Sequence, residues 1–319
     1  MPLVVISDPY GHTMNCHEFK GKHYPIRPDS DQDEILTRLP DLPCRGDDVT
    51  IIAFPKTGTH WVWEMCNMLL TGVTEIQTDN DKGKTMLEMR TEEELYSRPS
   101  VRVLNTHVTP ELYPKDLVKR KSKIIYIERN PKDATVSYFH QLSKMRTINY
   151  SGAWDGFFEL AIAGQVIYGS WFDYVKAWEE FFRTHEDIPV LRLCYENLKQ
   201  DSAAGIAQIT KFIGVDRDLA FQKKVAEQCG FENMKKGRTL SPELSKIVKT
   251  QTHPIFRKGT VGDWKNYFTV AQNESFNTER HSSFVENRSL KFNSFYQNSR
   301  MSISLAWNNP WSIFPRTNN

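Results

Sequence analysis

The sequence predicts an α/β protein: a single domain with a central parallel sheet flanked by helices on both faces. Three observations predict it. Short, nearly continuous apolar runs recur between residues 49 and 195, the pattern of parallel strands covered on both faces. Helix-length segments follow those runs, so strand and helix alternate, with right-handed crossovers expected. The chain has 319 residues, of which 39% are hydrophobic and 12% aromatic, enough for a sizeable core and too aromatic for wholesale disorder.

The elements follow in order. Strands are expected at residues 49–54 (VTIIAF), 101–105 (VRVLN), 123–128 (KIIYIE) and 189–195 (PVLRLCY). A helix over 60–70 follows the first strand and one over 131–144 follows the third. The second of these has Asn130 as its N-cap and Pro131 at its first position, where a missing N–H costs nothing. A helix over 197–213 follows the fourth strand. Residues 235–265 hold KKGR, SPE, THP and RKGTVGD; that density of turn formers and basic residues predicts a long loop, and long loops inside domains are often functional. From about Phe292 the chain turns Asn/Ser-rich around Trp307, Trp311 and Phe314. A length of roughly 150 residues per domain would suggest two domains. The motifs below instead thread one domain over 1–292, leaving 293–319 as an extension without an assigned role.

Composition excludes several classes. There are 41 Lys+Arg against 39 Asp+Glu, a net charge of +2, so this is not a protein built to coat nucleic acid. A local anion site remains open, because net charge averages over the surface. Mean hydropathy is −0.54, and no run approaches the ~20 apolar residues that span a bilayer; no membrane partner is expected. The N-terminus lacks the basic start and apolar stretch of a signal peptide. The five cysteines (Cys16, Cys44, Cys66, Cys194, Cys229) are odd in number and form no C-x-x-C pair or zinc-like spacing. A reduced, cytoplasmic setting and no metal are expected.

The first strand runs into Phe54-Pro55-Lys56-Thr57-Gly58-Thr59-His60-Trp61 and then a helix. A strand, a glycine turn and a helix N-terminus present outward N–H groups and a favourable dipole to an anion. Lys56 adds a charge; Thr57 and Thr59 add hydroxyls. The Walker order is absent, since Lys56 precedes Gly58 and does not follow a G-x-x-x-x-G run. Arg129 ends a buried strand, where ligands of open α/β sheets bind, and its fork suits phosphate. Ser137 lies eight residues on, about two helical turns away and on the same side. Taken alone, Arg129 could equally pair with Asp133, and the basic run Arg257-Lys258-Gly259 could simply be solvated. Gly259 would let backbone approach a phosphate closely.

Four segments together resemble the cytosolic sulfotransferase family, in the family's order and over roughly residues 15–292. FPKTGTHW resembles the 5′-phosphosulfate loop, and Arg129 to His140 (RNPKDATVSYFH) the 3′-phosphate segment. RKGTVGDWKN, from Arg257, resembles the nucleotide-clamping loop, and Lys265-x-x-x-Thr269-Val270-x-x-x-Glu274 the short dimerisation pattern. The resemblance implies a donor, 3′-phosphoadenosine 5′-phosphosulfate (PAPS), with the bisphosphate PAP as product. It implies nucleotide contacts from Lys56, Thr57, Gly58, Thr59, His60, Trp61, Arg129, Ser137, Tyr195, Cys229, Phe231, Met234, Arg257, Lys258 and Gly259. Trp61, Tyr195 and Phe231 match positions around the adenine, although each alone would also suit core packing. Cys229 and Gly230 replace the family's frequent Thr-Ser.

The implied reaction moves a sulfuryl group to an acceptor hydroxyl or amine. It needs in-line geometry, a base, and stabilisation of the leaving phosphate, as phosphoryl transfer does. His107, after the strand VRVLN, matches the general base and titrates near ~6.5 when unperturbed. Lys56 would stabilise the bridging oxygen; Ser137 would hold Lys56 or the 3′-phosphate. Where the family often has Lys two residues before the histidine, this chain has Asn105, which carries no charge. Exchange of Asn105 for Lys is expected to leave activity unchanged or raise it. The acceptor, a small phenol, alcohol or steroid-like molecule, would meet Asn105, His107, Tyr24, Met86 and Met89. A homodimer is expected through 265–274, on an interface below ~1,200 Å². The competing readings are a kinase or NTPase, a catalytically dead nucleotide-binding module, and a Golgi-type sulfotransferase acting on glycans.

Overall fold

The computed structural model describes residues 3–27, 30–76, 82–238, 240, 242–250 and 253–285. The extension 293–319, with Trp307, Trp311 and Phe314, lies outside the described residues. Strands β1 (Leu3–Ser7), β2 (Thr13–Phe19) and β3 (Lys22–Tyr24) form an antiparallel sheet in sequence order. β1 is a short apolar run, LVVI, left mostly uncovered, whereas β2 (TMNCHEF) and β3 (KHY) mix polar residues into their length; no strand is expected there from the sequence. The central sheet holds β4 (Val49–Ala53), β5 (Val103–Thr106), β6 (Lys123–Glu128) and β7 (Val190–Cys194), in the order β5-β4-β6-β7. All three pairings are parallel.

Period-two alternation sorts the central strands onto two cores. Ile52, Ile124 and Tyr126 join one cluster with Phe157 and Trp178. Ile51, Ala53, Ile125 and Ile127 join the other with Val62, Met65 and Ile206. Helices therefore cover both faces, as the apolar runs require. The Thr59–Thr71 helix begins after Gly58 and stops at Gly72, both left-handed. The Pro131–Leu142 helix is capped by the Asn130 side chain, which accepts from the backbone N–H of Lys132.

Two expectations need correction. The helix expected over 197–213 is two helices, Tyr195–Gln200 and Ser202–Ile213, broken where Asp201 leaves helical geometry and caps the second through the N–H of Ala204. The segment 235–265 is not all loop: the Phe231–Gly237 helix ends in it, and it holds the Pro242–Ile247 helix and a 3₁₀ turn, Asp263–Asn266. Because the four central strands are parallel, their C-terminal ends deliver Lys56, His107, Arg129 and Tyr195 to one edge of the sheet. Open α/β sheets bind ligands at that edge.

Candidate active site

These strand ends open onto a cavity of about 290 Å³, whose wall includes Lys56, His107, Arg129, Ser137, Tyr195 and Arg257. The loop after β4 is held in an unusual shape. Lys56 has φ 70° and Gly58 φ 108°. A Cβ at Gly58 would stand 2.9 Å from Cδ2 of Tyr195, so glycine is required both by conformation and by space. Thr57 turns its hydroxyl inward, donating to the carbonyl of Phe54 at 2.8 Å; it braces the loop. The buried Oγ1 of Thr59 has no hydrogen-bond partner. Burial, then the positive charges of Arg129 and Lys82, lower the Lys56 ammonium to about 7. A negative charge beside Lys56 would oppose that shift.

Arg129 donates through Nη1 to the carbonyl of Lys56 at 2.7 Å and lies 4.2 Å above the Tyr195 ring. Its buried Nε is unpartnered. Asp133, the alternative partner considered for it, instead accepts from the backbone N–H of Gly262 (2.7 Å) and Trp264 (2.9 Å). That carboxylate pins the basic loop to the Pro131–Leu142 helix. Within the loop, Asp263 joins Arg257 (2.6 Å) and Lys258 (2.8 Å). Burial works to raise the Asp263 carboxyl, but hydrogen bonds from Lys258, Asn266 and Arg257 outweigh it and hold it at about 2. Nε and Nη1 of Arg257 remain unpartnered although buried. Three unmet guanidinium N–H positions on Arg129 and Arg257 are a cost unless an anion accepts from them.

Gly259, at φ 65°, lies against Phe231; a Cβ there would stand 2.5 Å from the ring. Trp61 meets Tyr195 edge-on at 5.7 Å, and Phe231 meets Phe256 at 6.1 Å. These rings, with Met234 and Cys229, form an apolar end of the cavity. The Cys229 thiol itself turns to Met68 Sδ, 3.8 Å away. His60 and Lys258 also line the wall.

His107 is 8% exposed. Its Nδ1 stands 2.6 Å from the carbonyl oxygen of Ala53. A carbonyl only accepts, so Nδ1 carries the proton and Nε2 presents a lone pair. Burial, then Lys82 and Lys56, hold the imidazole well below its usual range, against the opposing Ala53 bond. The ring packs edge-on against Tyr168 at 5.3 Å. Beneath it, the fully buried Glu88 accepts from the backbone N–H of His107 (2.8 Å), the Thr106 hydroxyl (2.7 Å) and the Tyr168 hydroxyl (3.1 Å).

The acceptor-side residues divide. Met86 and Met89 reach the cavity with Tyr168, Gln141 and Met145. Tyr24 is buried one layer back, edge-on to Tyr168 at 5.8 Å. Asn105 does not reach the cavity: it is fully buried and donates to the carbonyl of Lys82 (2.9 Å) and to Thr85 Oγ1 (3.0 Å). Lys265, Thr269, Val270 and Glu274 are all exposed, at the start of the Val270–Val285 helix and just before it. Sequence reasoning missed Lys82 and Tyr168, and gave no role to Glu88 or to Asp263, which stands inside the RKGTVGDWKN segment. Lys82 and Tyr168 have no spacing signal, because only the fold brings them to the strand ends.

A family model described as a sulfotransferase domain matches residues 46–284. Sulfotransferase 1C2 of Homo sapiens is 34% identical over 272 residues, 80% of this chain and 89% of that protein. Sulfotransferase 1B1 of Mus musculus is 36% identical over 252 residues, 75% of this chain and 83% of that protein. Among solved structures, mouse sulfotransferase SULT7A1 complexed with PAP superimposes with a TM-score of 0.68 at 32% identity, covering 84% of this chain and 94% of that one. The family match, the identities over most of the chain and the shared fold together place the chain in the sulfotransferase family.

Proposed function

We propose that the protein moves a sulfuryl group from PAPS to a hydroxyl or amine of a small acceptor, such as a phenol, alcohol or steroid, by in-line transfer. The observation that carries this reading is the cluster of unmet guanidinium N–H positions on Arg129 and Arg257, together with Lys56, lining one cavity with His107, whose Nε2 presents its lone pair. The residues fit a nucleotide bearing phosphate at both ends. Lys56, Gly58, Thr59 and His60 would hold the 5′ group. Arg129, Ser137, Arg257, Lys258 and Gly259 would hold the 3′-phosphate. Trp61, Tyr195 and Phe231 would flank the base; all line the one cavity.

The bound donor supplies an activated sulfuryl group. His107 Nε2 takes the proton from the acceptor as its oxygen or nitrogen bonds to sulfur. Lys56 donates to the bridging oxygen, which departs with the electron pair of the broken bond. A bound anion restores full charge to Lys56, the reverse of the crowding that lowers it. Ser137 positions Lys56 or the 3′-phosphate. Cys229 and Met234 close the base pocket by packing. Met86 and Met89 give the acceptor side a surface that adapts to apolar shapes.

The chemistry requires no metal. A homodimer through 265–274 and a cytoplasmic setting complete the proposal. The described cysteines are all free thiols, and no helix among the described residues is long and apolar enough to cross a membrane. Labelled sulfate transfer from PAPS to a panel of phenols, sterols and sugars tests the reaction; activity is expected with EDTA present. Stabilisation against heat by PAP but not by ATP tests the nucleotide site, since a ligand that binds only the folded state must stabilise it. Transfer confined to sugars, or stabilisation by ATP alone, would overturn the reading.

A further inference from the structure

Lys82 occupies a place that its surrounding sequence gives no reason to expect. It sits in a short 3₁₀ turn, Lys82–Thr85, just before the Met86 bridge to β5, and is only 4% exposed. Its Nζ lies 3.4 Å from Nε2 of His107, the nitrogen left free by the Ala53 bond, and it lines the cavity beside Lys56. Its backbone is held from below: the carbonyl of Lys82 accepts from Asn105 Nδ2 at 2.9 Å and from Thr85 Oγ1 at 3.2 Å. Thr85 Oγ1 in turn accepts from the Trp63 indole at 2.9 Å.

Asn105 is the departure from the family pattern noted in the sequence. Its short, uncharged side chain does not enter the cavity; it clamps the turn that carries Lys82. The charge absent at 105 is therefore present, from a different element, against the same ring.

We propose that Lys82 is a catalytic residue of this chain, its ammonium contacting the sulfuryl oxygens during transfer, and that Asn105 is the residue that positions it. This rests on the sulfuryl-transfer reading. As the acceptor–sulfur bond forms and the bond from sulfur to the bridging oxygen breaks, negative charge spreads over the group lying between His107 and Lys56. A buried ammonium at that point stabilises it with little reorganisation. The same ammonium opposes an imidazolium at His107. Lys82 therefore favours transfer only while negative charge lies beside it, and suppresses protonation of the base at other times.

The test compares wild type, Lys82→Met, Lys82→Gln, Lys82→Arg and the double variant Lys82→Met/Asn105→Lys. The expected result for Lys82→Met is a loss of kcat of about 100-fold, the size seen when one charge-stabilising donor is removed. PAP affinity by calorimetry stays near wild type, showing a folded site. The acid limb of kcat/KM moves to higher pH, because the cation that holds His107 down is gone; a purely structural role would not move it. Lys82→Arg keeps part of the activity, and Asn105→Lys restores much of what Lys82→Met loses. Lys82→Gln, closer in length and still polar, carries the comparison if Lys82→Met does not fold. Wild-type kcat in Lys82→Met or Lys82→Gln, with an unmoved acid limb, overturns the proposal while leaving sulfuryl transfer intact. Absence of transfer by the wild type from PAPS to any acceptor overturns the reading beneath it.

Discussion

Nδ1 of His107 stands 2.6 Å from the carbonyl oxygen of Ala53, and this one bond decides which ring nitrogen faces the cavity. The bond links the end of β5 to the end of β4, so two neighbouring parallel strands orient the base between them. A histidine left free to choose its tautomer would spend part of its time with the wrong nitrogen protonated.

His107→Ala is expected to abolish transfer while PAP still stabilises the fold; turnover near the wild-type rate would remove the base assignment. The native imidazole is held well below its usual value by burial and then by Lys82. It therefore stays unprotonated as pH falls through ~6.5, where an unperturbed histidine would gain a proton. The acid limb of kcat/KM should lie below that pH. A limb at or above it would show that another group titrates.

Asp133 accepts from the N–H groups of both Gly262 and Trp264. Asp133→Ala would leave two backbone donors unmet, at about 1–3 kcal/mol for each that stays buried. The expected outcome is a lower melting temperature and a raised KM for PAPS, with kcat at saturating donor little changed. A fall in kcat alone would mean that the loop touches the reacting group and not just the nucleotide.

Gly259→Ala brings a methyl group to 2.5 Å from the Phe231 ring at a φ of 65°. The left-handed backbone alone costs an alanine roughly 1–2 kcal/mol, and the loop or the ring must also shift. PAP affinity should fall by about tenfold or more, since each 1.4 kcal/mol is a factor of ten. Unchanged affinity in calorimetry would show that the loop does not grip the nucleotide.

Val270 is 75% exposed at the start of its helix, beside exposed Thr269 and Glu274. Val270→Glu is expected to convert a dimer into a monomer in light scattering without lowering the melting temperature of the monomer fold. A wild-type chain that is already monomeric at micromolar concentration would remove the dimer proposal.

The parallel strands were legible because burial on both faces leaves no room for polar alternation: KIIYIE reads as β6 with no correction to its ends. The antiparallel sheet was not: β1 is a short apolar run left mostly uncovered, and β2 (Thr13–Phe19) mixes Asn, His and Glu into its length. Asp201 was visible as a helix cap only in hindsight, since a long amphipathic run hides a one-residue break. At the site, the phosphate loop could be read from local chain geometry, and the other motif residues were implied by the resemblance to the sulfotransferase family. Glu88 and Lys82 could not, because their roles exist only once β5 brings His107 beside them. Asn105 shows the limit most clearly. Its identity was read as a missing charge, whereas its position makes it the anchor of another residue's charge. In the wild-type background, Asn105→Lys would remove that anchor, so the unchanged or raised activity expected from sequence is no longer expected.

The lowered Lys56, at about 7, has a consequence for the energetics of ligand capture. Near neutral pH the open pocket holds less than a full proton on this side chain. An arriving polyanion makes the charged form favourable again, so the protein must draw hydrogen ions from solvent as the nucleotide docks. Binding heats measured in buffers of different ionisation enthalpy should therefore differ, and their slope should grow as pH rises above 7. The phosphate loop would then make nucleotide affinity a function of pH even where no step of the transfer is.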